Sequence, residues 1–342
     1  MSLPTITKQF ELASRPEGWP TLENFRLAEA PLAELQDGQV LVKNLAISVD
    51  PYMRGRMNDV KSYVPPFQLD QPLDGGAVGE VLASRAEGLA EGDVVVHGLG
   101  WREYAVLPAG AVKKVDASLA PATAFLGALG MTGLTAYAGL VKVAEFKAGD
   151  VVFVSGAAGA VGSLVGQIAK QLGASWVIGS AGTPEKVAKL LELGFDAAFD
   201  YHDGPIKEQL KVALAGAPGE NTGIDVYFDN VGGEHLEAAI SALNTFGRVA
   251  LCGAISQYNS TEPPVAPRNL ALAIGKQLTL RGFIVNSYSQ YADEYAALVA
   301  PLLTNGKIRY EETVVHGIEN TAQAFIDMLA GANTGKMVIT LD

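Results

Sequence analysis

One segment limits the fold of this chain more than any other: Val151-Val152-Phe153-Val154-Ser155-Gly156-Ala157-Ala158-Gly159-Ala160-Val161-Gly162. Its four consecutive apolar residues suit a strand covered on both faces, the position of a central strand in a parallel sheet. A glycine-rich turn follows and opens directly into a helix-like segment from Ala160 to Leu172. The spacing is A-x-G-x-x-G, against the G-x-G-x-x-G of the dinucleotide-binding fingerprint, and the strand before and helix after are both in place. Gly159 would let the backbone approach a pyrophosphate, and Gly162 would let the helix pack closely on the strand. The helix N-terminus offers N–H groups and partial positive charge to phosphates. The alternative for the same residues is a tight turn kept only for packing.

Downstream, short apolar strands alternate with amphipathic helices. Strands are expected at Ser175 to Gly179, Ala197 to Phe199, Gly223 to Phe228, Gly247 to Leu251 and Gln277 to Phe283. Helices are expected at Pro184 to Leu193, Ile206 to Ala215, Glu234 to Leu243 and Gln290 to Leu303. With Val151–Val154 this makes six strands, and the alternation argues for an α/β fold with a Rossmann-type doubly wound parallel sheet. The first 115 or so residues read differently. Gln39 to Lys43, Val78 to Leu82, Asp93 to Val96 and Tyr104 to Leu107 are short strand-like runs without a long helical period, the mark of a small, mostly β module. Gly335 to Leu341 reads as one more strand with no partner fixed by periodicity.

At 342 residues the chain has length for two domains. Asp plus Glu outnumber Lys plus Arg by 37 to 25, a net charge of −12 that opposes nucleic acid and anionic membrane surfaces as partners. Two long uncharged stretches, 117–141 and 151–169, carry too many glycines and polar residues for a spanning helix. The N-terminal residues lack the apolar core of a signal peptide, so a cytoplasmic location is expected. One cysteine, Cys252, excludes a disulfide framework and a multi-cysteine zinc site. His97, His202, His235 and His316 have no metal-ligand spacing and read as surface or packing residues.

After the second strand, where an acidic residue would hold a ribose 2′-hydroxyl, stands Ile178-Gly179-Ser180-Ala181-Gly182-Thr183, with no carboxylate before Glu185. Nothing there repels a 2′-phosphate, and Lys186 is near enough to attract one. NADP is favoured over NAD, although spacing alone would leave Lys186 a solvated helix residue.

Several motifs point one way: Leu12-Ala13-Ser14-Arg15-Pro16, Asp50-Pro51-Tyr52-Met53-Arg54-Gly55-Arg56-Met57, and Gly130-Met131-Thr132-Gly133-Leu134-Thr135-Ala136-Tyr137. To these the glycine turn, Tyr227-Phe228-Asp229-Asn230-Val231-Gly232-Gly233, Cys252-Gly253-Ala254-Ile255-Ser256-Gln257-Tyr258-Asn259 and Asn333-Thr334-Gly335-Lys336 add their weight in the same order along the chain. The chain resembles the zinc-independent medium-chain dehydrogenase/reductases of the leukotriene B4 dehydrogenase/prostaglandin reductase type, nearest the bacterial NADPH-dependent curcumin reductases. Zinc-dependent relatives carry G-H-E and a four-cysteine lobe. The comparable stretch here, Asp74-Gly75-Gly76-Ala77-Val78-Gly79-Glu80, has neither His nor Cys.

The resemblance implies a GroES-like catalytic domain at 1–120 completed by 306–342, a Rossmann NADP-binding domain at 121–305, and a cleft between them. It places NADPH on Ala158, Gly159, Ala160 and Val161, with Lys186 and Tyr201 at the 2′-phosphate. Asn230 would meet the ribose or nicotinamide side. Cys252, Ala254, Ile255, Ser256, Tyr258, Phe283, Ile284, Val285 and Asn333 would surround the nicotinamide half, with Thr132 at the carboxamide. The implied reaction is reduction of the C=C bond of α,β-unsaturated ketones and aldehydes, with Tyr258 and then Tyr52 as donors to the developing enolate. A quinone reductase and a non-catalytic NADPH-binding protein are the alternatives. Homodimers are common in the family.

Overall fold

A computed structural model describes residues 3–219, 223–264 and 267–341. They fall into two units, Met1–Gly130 with Glu312–Asp342, and Met131–Glu311. The first unit begins with β1 (Ile6–Leu12) and β2 (Phe25–Pro31), an antiparallel pair. β3 (Gln39–Ser48) leads through Asp50-Pro51 into the short α1 (Tyr52–Arg56). β4 (Ala77–Ser84), β5 (Val94–His97), β6 (Tyr104–Pro108) and β7 (Val112–Lys114) follow.

The second unit opens with α2 (Met131–Tyr137), which continues as a π-helical turn at Ala138–Val143. Then come β8 (Val151–Val154), α3 (Ala160–Gln171), β9 (Trp176–Ala181), α4 (Pro184–Glu192), β10 (Ala197–Asp200) and α5 (Ile206–Leu214). β11 (Ile224–Asp229), α6 (Gly233–Ala242), β12 (Leu243–Leu251), α7 (Leu272–Lys276), β13 (Thr279–Gly282) and α8 (Ala292–Thr304) complete it. The chain returns to the first unit with β14 (Glu312–His316), α9 (Thr321–Leu329) and β15 (Lys336–Thr340).

In the second unit six strands lie in the order β10-β9-β8-β11-β12-β13, and every pairing is parallel. This is the doubly wound α/β sheet expected from the alternation of strands and helices. β8 is buried along its whole length, as its apolar run required. The strand order reverses between β8 and β11, and ligands of such sheets bind beyond the C-terminal strand ends at that switch point. The uncharged stretch 151–169 is accounted for by β8 and α3. Among the described residues no helix is long and apolar enough to cross a membrane.

In the first unit the sheet order is β14-β15-β3-β4-β5-β7, with β6 also paired to β3. The terminal strand β15 thus lies antiparallel to β3 and parallel to β14. Under the sheet Trp101 meets Phe10 edge-on, stacks on Phe25 and touches Phe325 of α9, with ring centroids 5.8–5.9 Å apart. β14 and α9 had no counterpart among the elements read from sequence. Both are short, and Phe325 and Met328 are core residues only because distant segments cover them.

Two of the motifs that carried the family resemblance prove to be halves of one contact. Arg15 donates to the Met57 carbonyl at 2.9 Å, and the buried Arg54 guanidinium donates to the Gly18 carbonyl at 2.7 Å and to Pro16 at 3.3 Å. Beside α1, Lys336 donates to the Val49 and Met337 carbonyls and to Asp50 at 3.1 Å, while Ser48 also donates to Asp50. Both charged side chains are nearly out of water, at 5% and 6% exposure. Removing one partner of such a pair strands the other charge in a poorly polarisable interior. Lys336→Ala is expected to cost about 3–5 kcal/mol of stability, read from urea unfolding. A loss under about 1 kcal/mol would mean that water reaches Asp50 and makes the pair equivalent to a surface bridge.

Candidate functional site: the switch point of the parallel sheet

The glycine turn after β8 shows where the missing first glycine of the fingerprint went. Ala157 is buried and donates its N–H to the Ser180 carbonyl at 2.9 Å. Gly156, one residue earlier, takes the left-handed conformation with φ of +56°. The turn therefore has its glycine, shifted by one position. At Gly162 a Cβ would lie 2.5 Å from the Gly156 oxygen and 2.7 Å from Ala157 Cα, so only glycine lets α3 come this close. Gly159 is the N-cap of α3, and no side chain caps that end. The backbone N–H groups of the first turn, including Ala160 and Val161, are left for an anion.

At the end of β9, Thr183 caps α4 by accepting the Lys186 N–H at 3.3 Å, with Pro184 at the first helical position. Lys186 is partly buried, and that burial holds its ammonium below the usual lysine range. Tyr201 follows β10. Its hydroxyl lies 2.8 Å from where a Cβ on residue 182 would be, so Gly182 is what lets the ring fold over this strand end. Burial, then Asp200, pushes the Tyr201 phenol up. Tyr201 also meets His235 edge-on, with centroids 5.4 Å apart. Sequence reasoning passed over Ser180 and read His235 as a surface or packing residue. Both are buried here with a polar atom, Oγ and Nε2, lacking a hydrogen-bond partner. Burial pushes the His235 imidazole down to about 4, so it is neutral at physiological pH.

The loop after β11 is tied to both neighbouring strands. Asn230 donates its backbone N–H to Ser155 Oγ at 3.1 Å and its Nδ2 to the Ser155 carbonyl at 2.8 Å. Its Oδ1 then has no protein partner among the described residues and can accept a hydroxyl proton. From the β12 side, Cys252 and Gly253 donate N–H groups to the Asp229 carbonyl at 2.9 and 3.0 Å. Ile255 reaches the Asn230 carbonyl, and Ser256 reaches that of Val231 through both N–H and Oγ.

Tyr258 closes this turn. Its hydroxyl oxygen accepts the Ala254 N–H at 3.2 Å, which leaves the phenolic proton to donate elsewhere. Burial keeps that phenol above its ordinary pKa, so it is a neutral donor at physiological pH. Burial, with Asp229 near, pushes the Cys252 thiol up to about 12, which removes it as a nucleophile. Phe283 packs edge-on against Phe228, and the two rings come so close to Gly139 that a Cβ there would sit 2.4–2.6 Å from them. Ile284 and Val285 lead on into a 3₁₀ segment, Val285–Tyr291. Thr132, on α2, is buried with its Oγ1 unpartnered.

Of the expected site residues, Ala158–Val161, Lys186, Tyr201, Asn230, Cys252–Tyr258 and Phe283–Val285 all lie in the second unit, at or just beyond C-terminal strand ends. Thr132 is in the same unit, on α2. Tyr52 and Asn333 belong to the first unit. Tyr52 opens α1, and burial followed by the Asp50 charge pushes its phenol well up. Asn333 donates to the Gly335 carbonyl at 2.6 Å. Among the described residues no group of three or more His, Cys, Asp or Glu could hold a metal ion.

A Cβ-free cradle, an uncapped helix N-terminus and an open Asn230 acceptor around one switch point define a dinucleotide-binding unit. Comparison with known proteins narrows this. Residues 8–115 match the family described as the N-terminal domain of oxidoreductase, and residues 160–302 match that described as zinc-binding dehydrogenase. The chain is 48% identical to a putative NADP-dependent oxidoreductase, YfmJ, of Bacillus subtilis, over 97% of each chain. It is 39% identical to the NADPH-dependent curcumin reductase of Escherichia coli, over 97% of this chain and 96% of the other. The solved structure of CurA from Vibrio vulnificus in complex with NADPH superposes with a TM-score of 0.91 at 40% identity, over 98% of this chain and 99% of that one. The chain belongs to the medium-chain dehydrogenase/reductases, in the branch that holds these NADP-dependent reductases.

Lys186 supplies the positive charge nearest in sequence to the carboxylate-free end of β9. Lys186→Ala is expected to narrow the preference for NADPH over NADH by about 1–3 kcal/mol, the range for charge-assisted hydrogen bonds. The ratio of kcat/KM for the two cofactors measures it, and an unchanged ratio would leave Lys186 a helix residue with no part in cofactor choice.

Proposed function

We propose that this protein is an NADPH-dependent reductase of the C=C bond of α,β-unsaturated ketones and aldehydes. NADPH, when bound on the glycine turn, supplies a hydride for the β-carbon of the alkene. The chain's own residues must orient the substrate and receive the charge that develops on its carbonyl oxygen. Tyr258 is the residue for that task. Its oxygen is held by the Ala254 N–H, its proton is available, and its turn is fixed to the switch-point loop by the Cys252, Gly253, Ile255 and Ser256 bonds. This single arrangement, a neutral phenol held as a donor beside the cofactor loop, carries the proposal. Tyr52 is the second candidate donor, and Asn333 a further cofactor contact from the first unit. Relatives of the chain support the substrate class, since they are named a curcumin reductase, a 2-alkenal reductase and a prostaglandin reductase. A cytoplasmic location goes with this reading.

The test is Tyr258→Phe on a simple enone, with Tyr52→Phe as comparator. Loss of an oxyanion donor costs about 10²–10³ in kcat where nothing replaces it. Cofactor hydroxyls and water replace it in part, so a loss of about 10-fold or more in kcat is expected, with the NADPH Kd nearly unchanged. A variant within about twofold of the parent in kcat would reject the role for Tyr258 and pass it to Tyr52. Running quinones beside enones in the same assay separates this reading from quinone reduction.

We further propose a homodimer built on the β13 edge of the parallel sheet. β13 pairs only with β12 among the described residues, and Ile274, on the helix α7 that precedes it, is 82% exposed. An open edge beside exposed apolar side chains is a surface that natural sheets cover. Light scattering should give twice the chain mass, and Ile274→Glu should shift it toward one. A monomeric parent protein would overturn the assembly and leave the chemistry untouched.

A further inference from the structure

Asp229, at the last position of β11, is a carboxylate buried to 1% exposure, and no cation pairs with it among the described residues. Hydrogen bonds alone hold its charge. Oδ1 accepts the Gly232 N–H at 2.8 Å, the Val231 N–H at 3.0 Å and the Tyr227 hydroxyl at 2.7 Å, with Ser155 Oγ at 3.3 Å. Tyr227 is fully buried two residues back on the same strand, and its oxygen is 2.9 Å from Ser155 Oγ. A hydroxyl has one proton. The shorter contact takes the Tyr227 proton to Asp229, and the Ser155 hydroxyl then turns to the Tyr227 oxygen while accepting the Asn230 N–H. The result is one directed chain, from Asn230 through Ser155 and Tyr227 to Asp229, and Asp229 in turn grips the next two N–H groups of the same loop. The loop continues through Gly232 and Gly233, both in the left-handed region at φ +73° and +54°. Nothing in the loop itself would hold this shape.

We propose that Tyr227 is a positioning residue for the cofactor: its hydroxyl, acting through Asp229 and Ser155, sets the turn Asn230–Gly233 and with it the hold on the cofactor's ribose. This rests on the reading of Asn230 as the ribose-side contact. Packing alone does not account for the arrangement, because a phenylalanine would fill the same space and stack on Phe153 equally well. The hydroxyl is the part that acts. Burial raises the Asp229 pKa, and the bonds from Gly232, Tyr227 and Val231 pull it back. The titratable groups around it are Tyr227 itself, Cys252 and Tyr258 beyond β12, all pushed up, and His235 on α6, pushed down to about 4. None of these changes charge between about pH 5 and 8, which leaves Asp229 as the group here whose protonation would release the loop on the acid side. Loss of the Tyr227 bond raises the Asp229 pKa, so the acid limb of cofactor binding moves to higher pH.

The experiment measures the NADPH Kd of the full chain by fluorescence across about pH 5 to 8 for the parent, Tyr227→Phe, Asp229→Asn, Tyr227→Phe/Asp229→Asn and Asn230→Ala. Tyr227→Phe is expected to weaken NADPH about 10-fold at neutral pH, more at the acid end, with the acid limb shifted upward. With Asn at 229 no carboxylate remains to titrate, and adding Phe at 227 should change the Kd by less than about twofold beyond Asp229→Asn alone. An unchanged Kd in Tyr227→Phe, or a weaker Kd with the acid limb unmoved, overturns the inference. The latter would be simple structural damage, as would a lowered Tm with binding intact. Asn230→Ala separates the two levels of the argument. If it leaves the Kd unchanged, the ribose-side reading falls and takes this inference with it. If it weakens NADPH while Tyr227→Phe does not, the ribose-side reading stands and only the inference fails.

Discussion

The close approach of α3 to the turn after β8 is the constraint on which the second unit depends. A helix can aim its N-terminal N–H groups at a phosphate only if its first turn sits directly over the strand end. Here any Cβ at residue 162 would overlap backbone atoms of Gly156 and Ala157. Backbone cannot move aside as a flexible side chain can. From that contact follow the direction of α3, the position of β8 at the middle of the sheet, and the opening of the switch point between β8 and β11. The same economy recurs at Gly139, where two aromatic rings take the space of a Cβ, and at Gly182, where a tyrosine hydroxyl does.

Features generated by local rules could be read from the residues. The parallel sheet was legible because its central strand β8, buried on both faces, had to be an unbroken apolar run, and because most of the other strands alternate with a helical period. Their observed bounds differ from the expected ones by a few residues at most, as helix and strand ends commonly do. β14 and α9 were not legible, since Phe325 is made a core residue by Trp101 and Phe25, which lie hundreds of positions away in sequence. The one-residue shift in the glycine fingerprint was equally hidden. The pattern A-x-G-x-x-G reads as a lost glycine until the backbone shows Gly156 adopting the positive φ in its place.

The candidate site divides along similar lines. Gly159 and Gly162 could be named from position in a strand–turn–helix unit, because the fold alone brings them to the sheet's C-terminal edge, whereas Asn230 was singled out by the family resemblance. Lys186, Tyr201 and Tyr258 could not be raised above packing or solvated residues by spacing, and only the family resemblance singled them out. What neither route disclosed is how each is held. The Ala254 N–H on the Tyr258 oxygen is a contact between residues four apart in an irregular turn, for which no sequence period exists. Ser180 went unnoticed, and His235 was read only as a surface or packing residue, for the converse reason: serine and histidine carry no signal until burial leaves one of their atoms without a partner.

The two units handle buried charge in opposite ways, and the difference fits what each charge sits beside. In the first unit Asp50 is neutralised by Lys336, a pair whose attraction is strong and whose geometry is set by two long-range strands. Such a pair suits a frame, since breaking it is expensive and its charges cancel at a distance. In the second unit Asp229 has no cation among the described residues and is stabilised by short dipoles from its own loop and from Tyr227. A lysine there would add a full positive charge, with its own field, beside the turn where Asn230 and Tyr258 stand. Neutral donors satisfy the carboxylate without that charge and fix the directions of the groups that donate. The carboxylate thereby fixes the direction of the loop's own N–H groups at the C-terminal end of β11.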